Sequence, residues 1–149
     1  MSNYGTLLRL TTFGESHCAG VGGILDGFPS NFNLDLEMVQ LQLDRRRAKG
    51  SISTARQESD TLHILSGLEN DTTLGTPIGF MVKNKDIRPE DYHRTQGLGD
   101  AYIPRPSHAD FAYLKKYGIH ASSGGGRSSA RETISRVIGG AISDQYLVS

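Results

Sequence analysis

The sequence predicts an α+β domain, and three observations predict it. Short runs of strand-forming residues are bounded by glycine or proline, apolar residues fall at helical spacing in a few separate stretches, and the two kinds of segment alternate irregularly. The 149 residues make one domain by length, with no repeat at a solenoid period and low complexity only in short glycine clusters.

Tyr4 to Thr12 is rich in strand formers and reads as the first strand. Gly20 to Asp26 reads as a second, ended by Phe28-Pro29-Ser30. From Asp35 to Arg46 the period becomes helical: Leu36, Val39 and Leu43 share a face, with Met38 and Leu41 beside it. Asn33 or Asp35 is placed to cap the start of this helix, and the basic run Arg45-Arg46-Arg47 suits its negative end. Leu62 to Leu65 and Ile78 to Val82 read as strands, separated by a turn-like segment from Gly67 to Pro77. Residues 84 to 107, punctuated by Pro89, Gly97, Gly99, Pro104 and Pro106, read as a long loop. Asp110 then caps a short helix that stops at Gly118. Finally Ser129-Ala130-Arg131-Glu132 has the spacing of a capping box, followed by Ile134, Val137, Ile138, Ala141 and Ile142 on the stripe of a buried helix face.

Composition narrows the function classes. Sixteen basic residues balance sixteen acidic ones, which argues against a generally basic nucleic-acid binder. A single cysteine, Cys18, excludes an internal disulfide framework and a multi-cysteine zinc site, and points to a reducing compartment. Without a secretory signal or a membrane-length apolar run, the reading is a soluble, cytoplasmic chain. Glycine is abundant, eighteen residues, while hydrophobic residues reach only 36 %. Such a chain either spends its backbone on ligand contacts or is incomplete.

Three groups of residues can carry chemistry. Ser123-Gly124-Gly125-Gly126-Arg127-Ser128-Ser129 runs into the last helix, so bare backbone N–H groups, a guanidinium and hydroxyls meet the positive end of a helix. That is an anion site or a flexible linker, and it is neither a Walker loop nor a Gly-x-Gly-x-x-Gly turn. Arg45-Arg46-Arg47 with Lys49 and Arg56 is a solvated face or an anion-binding patch, and it lacks the interleaved aromatics of a base-stacking surface. His17 in Gly14-Glu15-Ser16-His17-Cys18 and His108 in Arg105-Pro106-Ser107-His108-Ala109-Asp110 are candidate proton donors on an anionic substrate, or structural loop histidines. The first histidine segment is not a nucleophile elbow, and His17 with Cys18 lacks the further ligands a metal needs.

Taken in order, these segments resemble chorismate synthase. Gly14-Glu15-Ser16-His17-Cys18 is similar to the family's first signature. Leu43-Asp44-Arg45-Arg46-Arg47, Ser66-Gly67 with Gly75-Thr76-Pro77-Ile78, and the Arg105 to Asp110 segment follow in register. Gly124 to Thr133 resembles a second signature, and the cysteine and serine forms of two motifs resemble a eukaryote-like branch. The resemblance implies a β-α-β sandwich fold, present here in part, with residues 1–149 as the truncated N-terminal portion of a chorismate synthase domain.

It further implies a carbon–oxygen lyase acting on phosphate in the last step of the shikimate pathway. An anti-1,4-elimination converts 5-enolpyruvylshikimate 3-phosphate to chorismate, with reduced FMN required and no net redox change. Members with an intrinsic flavin reductase use NADPH as well, and the family assembles as a homotetramer. By the same resemblance His17 protonates or holds the reduced flavin near N1, and His108 protonates the departing phosphate. Arg46, Arg105 and Arg131 bind substrate anions, with Ser16 nearby, and Arg127, Ser128 and Ser129 contact FMN. No metal, nucleic acid or membrane partner is implied.

The chain departs from the family pattern in two ways. Ala48-Lys49-Gly50-Ser51-Ile52-Ser53-Thr54 stands where the family usually has Pro-Gly and another basic residue before a threonine pair, one residue shorter, and Lys49 substitutes for that basic residue only in part. The aspartate motif that assists removal of the C6 proton lies beyond these residues, as do several FMN-binding segments. The expectation is a fragment with little or no turnover. The alternatives are a noncatalytic remnant that binds FMN or phosphate, and a polyanion-binding module whose affinity falls steeply with salt.

Overall fold

The computed structural model describes residues 2–46, 59–85, 104–119 and 125–149. The readings on Arg47, on Ala48 to Thr54 with Lys49, on Arg56, on residues 86–103 of the long loop, and on Ser123 and Gly124 lie outside the described residues.

Alternation of apolar and polar residues builds an antiparallel sheet. Its strands are β1 (Asn3–Tyr4), β2 (Arg9–Gly14), β3 (Gly20–Asp26), β4 (His63–Ser66) and, further along the chain, Ile78–Lys83. A separate hairpin of β5 (Leu68–Glu69) and β6 (Thr72–Thr73) precedes Ile78–Lys83, which is therefore β7. The five sheet strands lie in the order β1-β2-β3-β7-β4. Cross-strand rows such as Leu10–Leu25–Ile78 put the apolar set on one face, where Leu10, Val21, Leu25, Ile78, Phe80 and Val82 are buried. The opposite face carries Arg9 beside Asp26 and the exposed Phe13 and Ile24.

Two helices cover the buried face. In α1 (Leu36–Arg46) Val39 and Leu43, one turn apart, are fully buried; a short α2 (Asp110–Tyr117) follows later in the chain. In α3 (Thr133–Leu147) Ile134, Ile138 and Ile142 form the inward stripe. The Ser135 hydroxyl donates to Gly22 O at 2.7 Å, fixing α3 to the middle of the sheet. Gln145 exchanges two hydrogen bonds with the backbone of Asp35, while Arg46 reaches Thr133 and Ala130. The start of α1 thus meets the end of α3 and the reverse, so the two helices run antiparallel. Among the described residues no helix is long and apolar enough to cross a membrane. One sheet with helices packed on it is an α+β arrangement.

Four local expectations need correction. Tyr4 to Thr12 is not one strand but a hairpin, because Gly5 takes φ +86° and the chain reverses before Arg9. A side chain at Gly5 would place its Cβ 1.9 Å from Leu8 O, so only glycine fits that reversal. Gly67 to Pro77 contains the β5–β6 hairpin, turned by Asn70 and Asp71 at φ 47° and 60°. Asp110 does not cap α2, which starts after Ala109 with no side-chain cap; its carboxylate instead grips Arg105. The Ser129 to Glu132 spacing does not close a capping box either. Ser129 accepts from Arg131 N at the start of a 3₁₀ turn (Ala130–Glu132), and the Glu132 side chain turns away toward β2. Asp35, by contrast, does cap α1, its Oδ1 accepting from Met38 N at 3.0 Å.

Candidate functional site

The antiparallel pairing of α1 and α3 brings the end of one helix to the beginning of the other. Arg46 closes α1, and Arg131 sits in the 3₁₀ turn that leads into α3. Both donate to one buried carboxylate: Arg46 NH1 lies 2.9 Å from Asp60 Oδ2, and Arg131 NH1 lies 3.0 Å from Asp60 Oδ1. Asp60 is itself held by Gln40, whose amide donates to Asp60 O and accepts from Leu62 N. Arg131 also donates through NH2 to Lys83 O and through Nε to Asn84 Oδ1.

Arg127 belongs to a 3₁₀ turn (Gly126–Ser128) and reaches across to the end of β2. Its guanidinium donates to Gly14 O at 3.0 Å, to Thr12 Oγ1 at 2.7 Å and to Glu132 Oε1 at 3.3 Å. The side chain is 21 % exposed, so only its outer edge is open to solvent. Burial alone would raise the Glu132 carboxyl. Hydrogen bonds from Arg136 and Thr12, with the charges of Arg136 and Arg127, outweigh that and hold it below the usual carboxylate range. Ser128 is exposed and donates to Gly125 O, and Ser129 stands half-buried at the turn.

Ser16 is buried and His17 half-buried in the loop between β2 and β3, which begins at Gly14 with φ +89°. A Cβ at Gly14 would lie 2.2 Å from Gly20 O, so the closeness of the two strands at the mouth of the loop depends on glycine. The structure thereby gathers Ser16, His17, Arg46, Arg127, Ser128, Ser129 and Arg131 around one corner. Among the described residues, four guanidiniums there, of Arg46, Arg127, Arg131 and Arg136, face two carboxylates, Asp60 and Glu132, and Glu15 adds a third on the His17 loop. The positive excess suits an anionic ligand.

Arg105 and His108 form a second group, in the turn before α2. Asp110 takes the Arg105 guanidinium in a two-pronged pair, at 2.7 Å from Nε and 2.9 Å from NH2, and also accepts from Arg105 N. His108 is exposed, with Nδ1 2.8 Å from Pro106 O. A carbonyl only accepts, so Nδ1 carries the proton and Nε2 is the atom left to exchange one. Sequence reasoning missed Asp60, Asn84, Thr12 and Glu132 as members of the site. The first two are isolated polar residues at the edges of strands, a signal with no spacing to read. Thr12 lies within the first predicted strand, and the apparent capping box accounts for Glu132 without any site.

Fold and site together define an α+β protein with an arginine-rich corner where the end of α1 meets the start of α3. A family profile for chorismate synthase matches residues 8–149, and the chain belongs to the chorismate synthase family. It is similar to the chorismate synthase of Schizosaccharomyces pombe, 55 % identical over 149 residues, which is 99 % of this chain and 36 % of that protein. It is 54 % identical over 148 residues to the chorismate synthase of Saccharomyces cerevisiae, covering 99 % of this chain and 38 % of the relative. A chorismate synthase of Prochlorococcus marinus reaches 55 % over 147 residues, covering 98 % of this chain and 39 % of its own length. A solved crystal structure of chorismate synthase superposes with a TM-score of 0.69 and 33 % identity, covering 96 % of this chain and 34 % of the other. The chain thus spans 36 to 39 % of the length of these relatives.

Proposed function

We propose that the protein acts as a chorismate synthase, removing phosphate from 5-enolpyruvylshikimate 3-phosphate by anti-1,4-elimination. The observation that carries this reading is the excess of guanidinium over carboxylate at the α1–α3 corner, tied to the His17 loop, in a chain of this family.

The reaction breaks the C–O bond to phosphate and the C–H bond at C6: phosphate departs with its bonding pair, the C–H pair enters the new diene, and the C6 proton passes to a base that these residues do not supply. Charge grows on the departing oxygen, so fixed guanidiniums beside it lower the barrier without having to reorganise. Arg46, 24 % exposed, takes that role most directly, with the buried Arg131 behind it on the same Asp60 carboxylate, and Arg105, gripped by Asp110 in the second group, adds a further guanidinium. His108 supplies a proton to the departing phosphate, which leaves more readily when protonated. The Ser16 hydroxyl contributes a donor to the substrate.

Reduced FMN carries a phosphate and a ring edge with N–H and carbonyl groups, and the donor set on the 3₁₀ turns fits it. Ser128, Ser129 and the outer edge of Arg127 are presented there, and His17 stands on the neighbouring loop. When bound, the reduced flavin would supply an electron-rich ring to the elimination, with no net redox change. His17 would hold a proton for that ring.

Because the chain spans 36 to 38 % of these relatives, the 149 residues alone are proposed to bind substrate but turn it over little or not at all. Two measurements on the purified chain test the reading. Calorimetric titration with 5-enolpyruvylshikimate 3-phosphate is expected to show saturable binding, and anaerobic assay with reduced FMN is expected to show little chorismate. Absence of substrate binding overturns the assignment of the corner, and turnover at an ordinary enzyme rate overturns the proposal of low activity.

A further inference from the structure

Asn84 follows directly on β7 and is 7 % exposed. Its backbone N–H donates to Ala19 O at 3.0 Å. Its side-chain nitrogen donates to Glu15 O at 2.8 Å and Cys18 O at 2.6 Å, the carbonyls on either side of Ser16 and His17. Its side-chain oxygen accepts from Arg131 Nε. The partners settle which way the amide faces, since carbonyls only accept and a guanidinium only donates. They also settle which residue type fits. The position calls for two donors and one acceptor on a short planar group, so a carboxylate lacks the donors and an ammonium lacks the acceptor.

These bonds join residues far apart in the sequence. From the His17 loop they run through Asn84 to Arg131, then through Asp60 to Arg46. We propose that Asn84 is a positioning residue: it holds the His17 loop and the Arg131 guanidinium in one fixed relation, so that the loop facing the flavin and the clamp on the substrate anion stay in register. This rests on the reading of the corner as the substrate site. Asn84 itself touches neither substrate nor flavin in this proposal and acts through the two groups it joins. A buried network of this kind rewards complete satisfaction, and loss of one member leaves several polar groups without their partners.

Two substitutions separate the two halves of the connection. Asn84→Asp keeps an acceptor for Arg131 and removes both donors to the loop, while Asn84→Ala removes everything. Nuclear magnetic resonance of the labelled chain reads the result without any ligand. In Asn84→Asp the His17 amide and ring signals are expected to shift and broaden while the Arg131 Nε–H signal stays slow to exchange. In Asn84→Ala both are expected to change, with the methyl signals of Val21, Leu25 and Ile138 unmoved in either variant. Unmoved His17 signals in Asn84→Asp overturn the proposal, and so does loss of the Arg131 signal to the same degree in both variants, which is nonspecific loosening. Titration with 5-enolpyruvylshikimate 3-phosphate is the second arm, where each variant is expected to bind about tenfold more weakly than the unsubstituted chain. Variants that bind as tightly as the unsubstituted chain overturn the positioning role alone. Failure of the unsubstituted chain to bind overturns the site reading and the positioning role with it, whatever the spectra show.

Discussion

Asp60→Asn removes the carboxylate on which two arginines converge while leaving shape and volume nearly unchanged. Its pair with Arg131 is buried on both sides, 7 % and 3 % exposed, whereas Arg46 is 24 % exposed and partly screened. Removing one partner of a buried pair leaves an uncompensated charge and costs about 3–5 kcal/mol. Asparagine still accepts one hydrogen bond, which favours the low end of that range, and the better-solvated Arg46 adds at most about 1 kcal/mol. The expected loss is therefore about 3 kcal/mol. Divided by a urea dependence of about 1.5–2 kcal/mol per molar, that lowers the unfolding midpoint by roughly 1.5–2 M. Equilibrium unfolding in urea followed by circular dichroism measures it. Asp26→Asn provides the contrast, since its pair with Arg9 is 44 % and 63 % exposed and is worth no more than about 0.5 kcal/mol. If the two substitutions shift the midpoint equally, the account of a charge-locked corner is wrong.

Four further substitutions test the same geometry. Gly14→Ala drives a Cβ into Gly20 O and Val21 Cα, both backbone, and is expected to lower stability by about 1–3 kcal/mol. Gly140→Ala, in open space on α3, is expected to raise stability by about 0.5–1 kcal/mol, and thermal melts that rank the two the other way refute this reading. Glu132 titrates below its ordinary range in the folded chain, so its stabilising contribution is complete above that range and is lost as pH falls through the depressed folded value. Melting temperature against pH should therefore fall less steeply at acid pH in Glu132→Gln than in the unsubstituted chain, and parallel curves would count against the arginine–carboxylate account. Asp110→Asn breaks the two-pronged grip on Arg105, so the Arg105 Nε–H signal should exchange faster with solvent; an unchanged rate would show that Asp110 is dispensable there.

Much of the fold was legible because the signals were periodic. The stripe from Ile134 to Ile142 and the pair Val39 and Leu43 gave the buried faces of both packing helices directly. What escaped was set by backbone conformations that leave little trace in a hydrophobic pattern. The reversal at Gly5 was hidden inside a run of strand formers, and the β5–β6 turn uses Asn70-Asp71 rather than a glycine. The site divides in the same way. Its charged members announced themselves by type and company, as with Arg127 among glycines and His17 in its loop. The residues that hold them, Asp60 and Asn84, became visible only once folding had brought α1, β7 and the start of α3 together. Glu132 was noticed for the wrong reason, because a spacing that fits a cap also fits a carboxylate reaching for Thr12.

The seat of α3 on the sheet has a consequence for how this protein can change over time. Gly139 lies against Leu10, where an added Cβ would come within 2.9 Å of Leu10 Cδ2. That contact is about two turns along the helix from Arg131 and Glu132, which sit in the bend just before its first turn. A larger residue at Gly139 pushes first on the tip of the Leu10 side chain, and what Leu10 cannot absorb by rotating passes to the helix and to both charged groups. Drift in the apolar interior is thereby coupled to drift at the arginine corner. Substitutions at Gly139 and Leu10 are therefore expected to arrive in pairs.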